Sequence, residues 1–239
     1  MRSASPNMTN KHPRLLLWDI DGTLITTGAA GQGALRVATA ELLGGDGDLE
    51  GVEIAGRTDP GIVHQILKKH GAAITNESVA QFLETYLRNL PTELLRGTGR
   101  VMPGVLELLT SLKAEPNTTL GLLTGNIKRG AELKLSYYGL WHFFEFGAFA
   151  DDHHDRNELG PFARRRAQQA TGFEFEPEWI DVIGDTPHDI ACGKAIGART
   201  IGVATGSFSR EQLASHGADF VFDDLSRVEE VAEELNWRR

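Results

Sequence analysis

Two aspartates one residue apart, Asp19 and Asp21, close the apolar run Leu15-Leu16-Leu17-Trp18 and are followed by Gly22 and Thr23. A short apolar run bounded by turn chemistry reads as a fully buried strand, and alternation along it sends both carboxylates to one side. Two negative charges at one point cost free energy unless a cation, a shared proton or the counter-ion of an anionic substrate resolves them. Acids so placed sit where open α/β sheets bind ligands, so the stretch is read as an active site. Two later strand ends carry similar groups: Thr124-Gly125-Asn126 after residues 119–123, and Gly184-Asp185 with Asp189 after residues 179–183.

The elements that must position these groups follow from periodicity. Val79, Phe82, Leu83, Tyr86, Leu87 and Leu90 recur at the spacing of an amphipathic helix. Ile62, Val63, Ile66 and Leu67 begin another helix, with Pro60 near its first turn, and a third runs over residues 33–43. Residues 26–98 therefore read as an all-helical insertion, closed by Gly97-Thr98-Gly99 and Pro103-Gly104. Beyond it helices and strands alternate, the pattern of a parallel sheet covered on both faces. Helices are expected at 105–112, 129–138, 161–170 and 190–196, strands at 119–123, 144–149, 179–183, 199–203 and 219–222. A closing helix over 226–235 takes Ser226 as its N-cap, with Glu229 three residues on. The expected division is a tail at 1–13, a core at 14–25 and 99–239, and the helical unit between.

Composition narrows the function. A net charge of -9 argues against nucleic acid or an anionic membrane as partner, since both favour a basic face. Apolar stretches fall short of the ~18 residues of a membrane span, and residues 1–13 lack a signal peptide's apolar segment. The single cysteine, Cys192, gives neither a disulfide nor a metal spacing and fits a reducing, cytoplasmic setting.

Taken together, the three strand ends resemble the haloacid dehalogenase superfamily. Its D-x-D-G-[TV] motif matches Asp19-Ile20-Asp21-Gly22-Thr23, its strand-terminal Ser or Thr matches Thr124, and its G-D-x-x-x-D matches Gly184-Asp185 with Asp189. The helical insertion is similar to the cap of the phosphoglycolate phosphatase and β-phosphoglucomutase branch. The resemblance implies an α/β fold, a Rossmann-like parallel-sheet core with an inserted all-helical cap, acting on a small phosphorylated molecule. Asp19 would attack phosphorus to form an aspartyl-phosphate. Asp21 would protonate the leaving oxygen and later deprotonate water, a role worth about 10²–10⁴-fold. Mg²⁺ would sit on Asp19, the Asp21 carbonyl and Asp185, with Asp189 orienting a water. Thr124 and the Gly125 and Asn126 amides suit the phosphoryl oxygens.

Plainer readings stand beside these. Asp185 or Asp189 could be only a helix N-cap, His153 and His154 a polar loop, and Cys192 a packed small side chain. The family's third motif, a Lys ahead of the fourth, has no Lys here; Arg156 is the candidate, with Arg164 and Lys128 as alternatives. Arg57 or Thr58, in Gly56-Arg57-Thr58-Asp59-Pro60, would select the substrate, while Asp59 could simply cap the next helix. A phosphomutase uses the same motifs and is the alternative to a phosphatase. Phosphonate cleavage would need a Schiff-base Lys, and Lys68 and Lys69 lack such a setting. A non-catalytic binding protein of the same fold is the remaining class.

Overall fold

The computed structural model describes residues 12–237. The expected tail at 1–13 lies outside the described residues except for His12, which stacks on Trp179, and Pro13. The strands are β1 (Arg14–Trp18), β2 (Ile25–Thr26), β3 (Arg100–Val101), β4 (Thr118–Leu123), β5 (Gly147–Ala148), β6 (Ile180–Gly184), β7 (Arg199–Val203) and β8 (Phe220–Phe222). The helices are α1 (Ala30–Leu43), α2 (Asp59–Lys69), α3 (Asn76–Arg96), α4 (Val105–Lys113), α5 (Lys128–Tyr137), α6 (Gly160–Thr171), α7 (Pro187–Ala195), α8 (Arg210–Ser215) and α9 (Val228–Glu234).

Six strands form a parallel sheet in the order β5-β4-β1-β6-β7-β8. β1 is central because it is apolar on both faces, as a sheet covered by helices requires. Leu15 and Leu17 pack with Leu159, Ala163 and Ala167 on the α6 side. Leu16 and Trp18 pack with Leu108 and Leu112 of α4, Leu135 of α5 and Val231 of α9. Burial of each such side chain contributes about 1.5–3 kcal/mol. After β1 the chain adds β4 and β5 on one side, then crosses to add β6, β7 and β8 on the other. The crevice outside the carboxyl ends of β1 and β6 is thus a topological switch point, the place where such sheets bind ligands. At the opposite end, the buried Asp181 carboxylate accepts from Arg14 Nη1 (2.9 Å), Arg199 Nε (2.6 Å) and Trp237 Nε1 (2.6 Å), fastening β1, β6 and β7 to the chain after α9.

The helices α1, α2 and α3 form a unit with its own apolar core, including Ala34, Val63, Ile66, Phe82, Tyr86 and Leu90. The chain enters and leaves it through β2 and β3, an antiparallel pair that alternation did not reveal because each strand has only two residues. The aromatic strand expected at 144–149 shrinks to Gly147–Ala148, and Trp141–Phe143 is a 3₁₀ turn. Phe143, Phe144 and Phe149 are instead drawn into the core. Ser226 does not cap the last helix: its N–H (2.8 Å) and Oγ (2.5 Å) donate to Asp224 Oδ1, and Arg227 occupies the cap position. No helix among the described residues is long and apolar enough to cross a membrane.

Candidate active site

The ladder between β1 and β6 runs one residue past Trp18, with the Asp19 N–H donating to the Ile183 carbonyl at 2.9 Å. This sets Asp19 beside Asp185, the first residue after β6. Gly22 turns with φ of 85°, and a Cβ there would strike the Asp185 carboxylate, so only glycine permits the approach. Thr23 Oγ1 donates to Asp185 Oδ1 (3.3 Å), and Thr205 Oγ1 donates to the Gly22 carbonyl (2.5 Å). Asp189 arrives on the first turn of α7. It is not the N-cap; Thr186 is, and the Thr186 N–H (3.0 Å) and Oγ1 (2.8 Å) donate to Asp189 Oδ2. Oxygens of the buried Asp19, Asp185 and Asp189 lie within 4.8 Å of one another.

Arg156 faces this cluster. Its Nη2 lies 2.7 Å from Asp19 Oδ1 and also pairs with Asp189 Oδ1, while Nη1 donates to the Gly56 carbonyl at 3.2 Å. Its Nε has no protein partner among the described residues. The Cys192 thiol, pushed up to about 12 chiefly by burial, donates to the Arg156 carbonyl (3.1 Å) and so helps seat that residue. One guanidinium does not neutralise the cluster. Burial raises Asp19 to about 6 against the pull of Arg156, with Asp189 and Asp21 adding to the rise. Asp185 is held well above the usual carboxylate range by burial and by Asp189 and Asp19. An oxygen-rich, desolvated acidic set of this kind fits a hard divalent cation.

Asp21 is treated differently. Because β1 ends at Trp18, strand alternation does not carry the two acids into one partner set. The half-exposed Asp21 carboxylate accepts on Oδ2 from Asn126 Nδ2 (2.9 Å) and from Lys134 Nζ (2.6 Å). Lys134 also donates to Asn126 Oδ1 (2.6 Å), and Asn126 Nδ2 to the Oγ1 of the buried Thr124 (2.9 Å). Burial opposes the Lys134 ammonium, yet Asp21, Tyr86 and Asp59 outweigh it and hold the amine above its ordinary range. The sequence reading missed Lys134. Its signal was present: Ile127, Ala131, Lys134 and Leu135 fall on one buried helical stripe, where a lysine is out of place.

The helical unit closes over these groups. Its loop before α2 docks on the core through the Asp59 N–H to the Gly125 carbonyl (2.7 Å), Ile127 N–H to Asp59 Oδ2 (2.8 Å) and Thr58 Oγ1 to the His154 carbonyl (3.0 Å). Thr58, not Asp59, is the N-cap of α2, accepting from the Gly61 N–H at 3.3 Å. Beneath the unit lies a cavity of about 400 Å³, lined by Asp19, Asp21, Asn126, Lys134, Arg156 and Asp185 and roofed by Leu35, Ile54, Ile62 and Tyr86. Arg57 reaches this cavity with its guanidinium paired to Glu53; Thr58, anchored elsewhere, is not part of its lining. Arg164 donates to the Phe175 carbonyl (2.8 Å), and Lys128 lines a separate surface cavity beside Glu145 and Asp151, so neither alternative to Arg156 joins the site. His153 and His154 stack on each other outside the acidic cluster.

Comparison with known proteins agrees with this architecture. The family described as haloacid dehalogenase-like hydrolase matches residues 16–203. The chain is 28% identical to a protein named "Probable phosphatase IndB" from Dickeya dadantii, over 92% of this chain and 94% of that one. It is 26% identical to the phosphoglycolate phosphatase of Haemophilus influenzae, over 92% and 98%. The crystal structure of CbbY from Rhodobacter sphaeroides in complex with phosphate superposes with a TM-score of 0.71 at 18% identity, over 90% of this chain and 96% of that one, a likeness of fold.

Proposed function

The chain belongs to the haloacid dehalogenase-like hydrolase family, and from that premise we propose that it hydrolyses a small-molecule phosphate monoester through an aspartyl-phosphate on Asp19. The observation that carries this reading is the division of labour between the two aspartates. Asp19 is buried in the acidic cluster against Arg156, and Asp21 stands apart on the cavity wall with its own cation. A nucleophile and a proton carrier need such different surroundings.

In the first step an Asp19 oxygen forms a bond to phosphorus as the bond to the leaving oxygen breaks, and Asp21 gives that oxygen its proton. In the second, Asp21 takes a proton from water, whose oxygen displaces Asp19 and releases inorganic phosphate. Arg156 steadies the nucleophile and presents positive charge to the phosphoryl oxygens. Gly125 and Asn126 supply further polar wall, while Thr124, buried and absent from the lining, holds Asn126 from behind. Asp19, Asp185 and the Asp21 carbonyl would hold Mg²⁺, which when bound supplies the charge neutralisation that brings an anion to an anionic phosphate. Both Asp189 oxygens are engaged by Arg156 and Thr186, which supports an orienting role for this residue. The helical unit acts as the cap, and its Leu35, Ile54 and Ile62 roof supports a compact leaving group. Phosphoglycolate, the substrate in the name of a relative, is of that size.

A panel of phosphorylated metabolites and p-nitrophenyl phosphate, read as released phosphate, tests the reading. Turnover is expected to require Mg²⁺, stop with chelator and vanish in Asp19→Asn. Full activity in that variant overturns the mechanism. Activity that needs a sugar bisphosphate and releases little phosphate points to a mutase, and a blank panel to a binding protein.

A further inference from the structure

We infer that Lys134 is a positioning residue for the proton-transfer steps, fixing the Asp21 carboxylate so that one chosen oxygen meets the reacting atoms. The inference rests on the mechanism proposed above. Lys134 Nζ and Asn126 Nδ2 both donate to the same oxygen, Asp21 Oδ2, at 2.6 and 2.9 Å. Oδ1 receives no hydrogen bond from the described residues, so it is the oxygen left to exchange a proton with the leaving group and with water. The clamp is itself braced: Lys134 holds Asn126 Oδ1 at 2.6 Å, and Asn126 Nδ2 reaches Thr124 Oγ1 at 2.9 Å, a closed circuit across the ends of β1 and β4.

Asp21 is half exposed and water would satisfy it, whereas a buried ammonium carries a large desolvation penalty. Lys134 also lies under the cap, where Tyr86 of α3 and Asp59 of α2 feel its charge. The circuit is therefore shielded by the cap over the cavity. Two acids close enough to repel are thereby given separate cations, Arg156 for Asp19 and Lys134 for Asp21.

A double-mutant cycle tests this, using Lys134→Gln, Asp21→Asn and the double variant. The substrates are p-nitrophenyl phosphate, whose leaving group departs without a proton, and the best alkyl phosphate of the panel, whose leaving group requires one. Lys134→Gln is expected to lower kcat/KM on the alkyl phosphate, which reads the step that expels the leaving group, about 10²-fold, the loss typical of a misplaced reacting group. The loss in kcat/KM should be smaller on p-nitrophenyl phosphate, and nothing further should be lost in the Asp21→Asn background. Lys134→Arg should recover part of the activity, and it carries the leaving-group comparison if the Gln variant does not fold. Equal losses in both backgrounds, equal losses in kcat/KM on both substrates, or unchanged kcat and kcat/KM overturn the inference; an equal loss of kcat alone reads the shared hydrolysis of the aspartyl-phosphate and supports it. An unimpaired Asp21→Asn overturns the underlying mechanism instead, and this inference with it.

Discussion

Arg156 Nη2 stands 2.7 Å from Asp19 Oδ1, and the same nitrogen pairs with Asp189. Removing one partner of a buried ion pair leaves the other charge uncompensated, at about 3–5 kcal/mol. Arg156→Met is therefore expected to be less stable by that amount in chelator, with a lower melting temperature, and to recover much of the loss in millimolar Mg²⁺, which offers the acids another cation. Thermal melts of the variant with and without Mg²⁺ check this. A variant as stable as the parent in chelator shows that Arg156 does not balance the cluster.

Asp185 is raised by burial and by its acidic neighbours, so in the absence of metal its charge strains the fold. Asp185→Asn should be more stable than the parent at neutral pH in chelator, and should lose the stabilisation by Mg²⁺. That stabilisation amounts to about 2.7 kcal/mol at a hundredfold excess over Kd. Paired melts across a Mg²⁺ titration measure both effects. An undiminished Mg²⁺ response removes Asp185 from the metal site.

These two predictions draw on residues visible in the sequence, and the reason is local. A strand that ends in Asp-x-Asp-Gly-Thr or Gly-Asp carries its chemistry within a few consecutive positions, and the alternation of helices and apolar runs orders those strands around one edge. What escaped was set by distance in the chain. Asp59 reads locally as a helix cap, and only the docking of segments 68 residues apart reveals its bond to Ile127. Lys134 sits on a stripe of small and apolar residues, and its partner Asp21 is 113 residues earlier. Arg156 could be named only for want of a lysine, because the acids it meets come from the turn after β1 and from α7. The hinge strands β2 and β3 are too short to show a period at all.

Asp59 gives a pH dependence of stability. Burial raises its carboxyl to about 6, against Lys134 and the Ile127 N–H. Between the ordinary carboxylate value and about 6 the folded chain holds a proton that the unfolded chain has released. The cost of the buried charge therefore grows as pH rises through that window and is complete above it, reaching about 3 kcal/mol at most. Asp59→Asn keeps an acceptor for Ile127 and has no charge. Its melting temperature should match the parent near pH 4 and exceed it at pH 8. A variant less stable at pH 8 shows that the carboxylate is favourable where it is.

Arg57 and Thr58 are neighbours in different surroundings, and paired alanine variants test whether their roles differ. Thr58 caps α2 and donates to the His154 carbonyl, so Thr58→Ala loses a cap and a cap-to-core hydrogen bond. The expected result is a loss of about 1–2 kcal/mol in stability with KM unchanged. The Arg57 ion pair with Glu53 is exposed and contributes little to stability, but the residue lines the cavity. Arg57→Ala should leave the melting temperature in place and raise KM, more for a carboxylated phosphate than for p-nitrophenyl phosphate, which offers no carboxylate to read. Chemical denaturation and initial rates on both substrates check the pair. A Thr58→Ala variant that raises KM at unchanged stability reverses the assignment and makes the threonine the residue that meets the substrate.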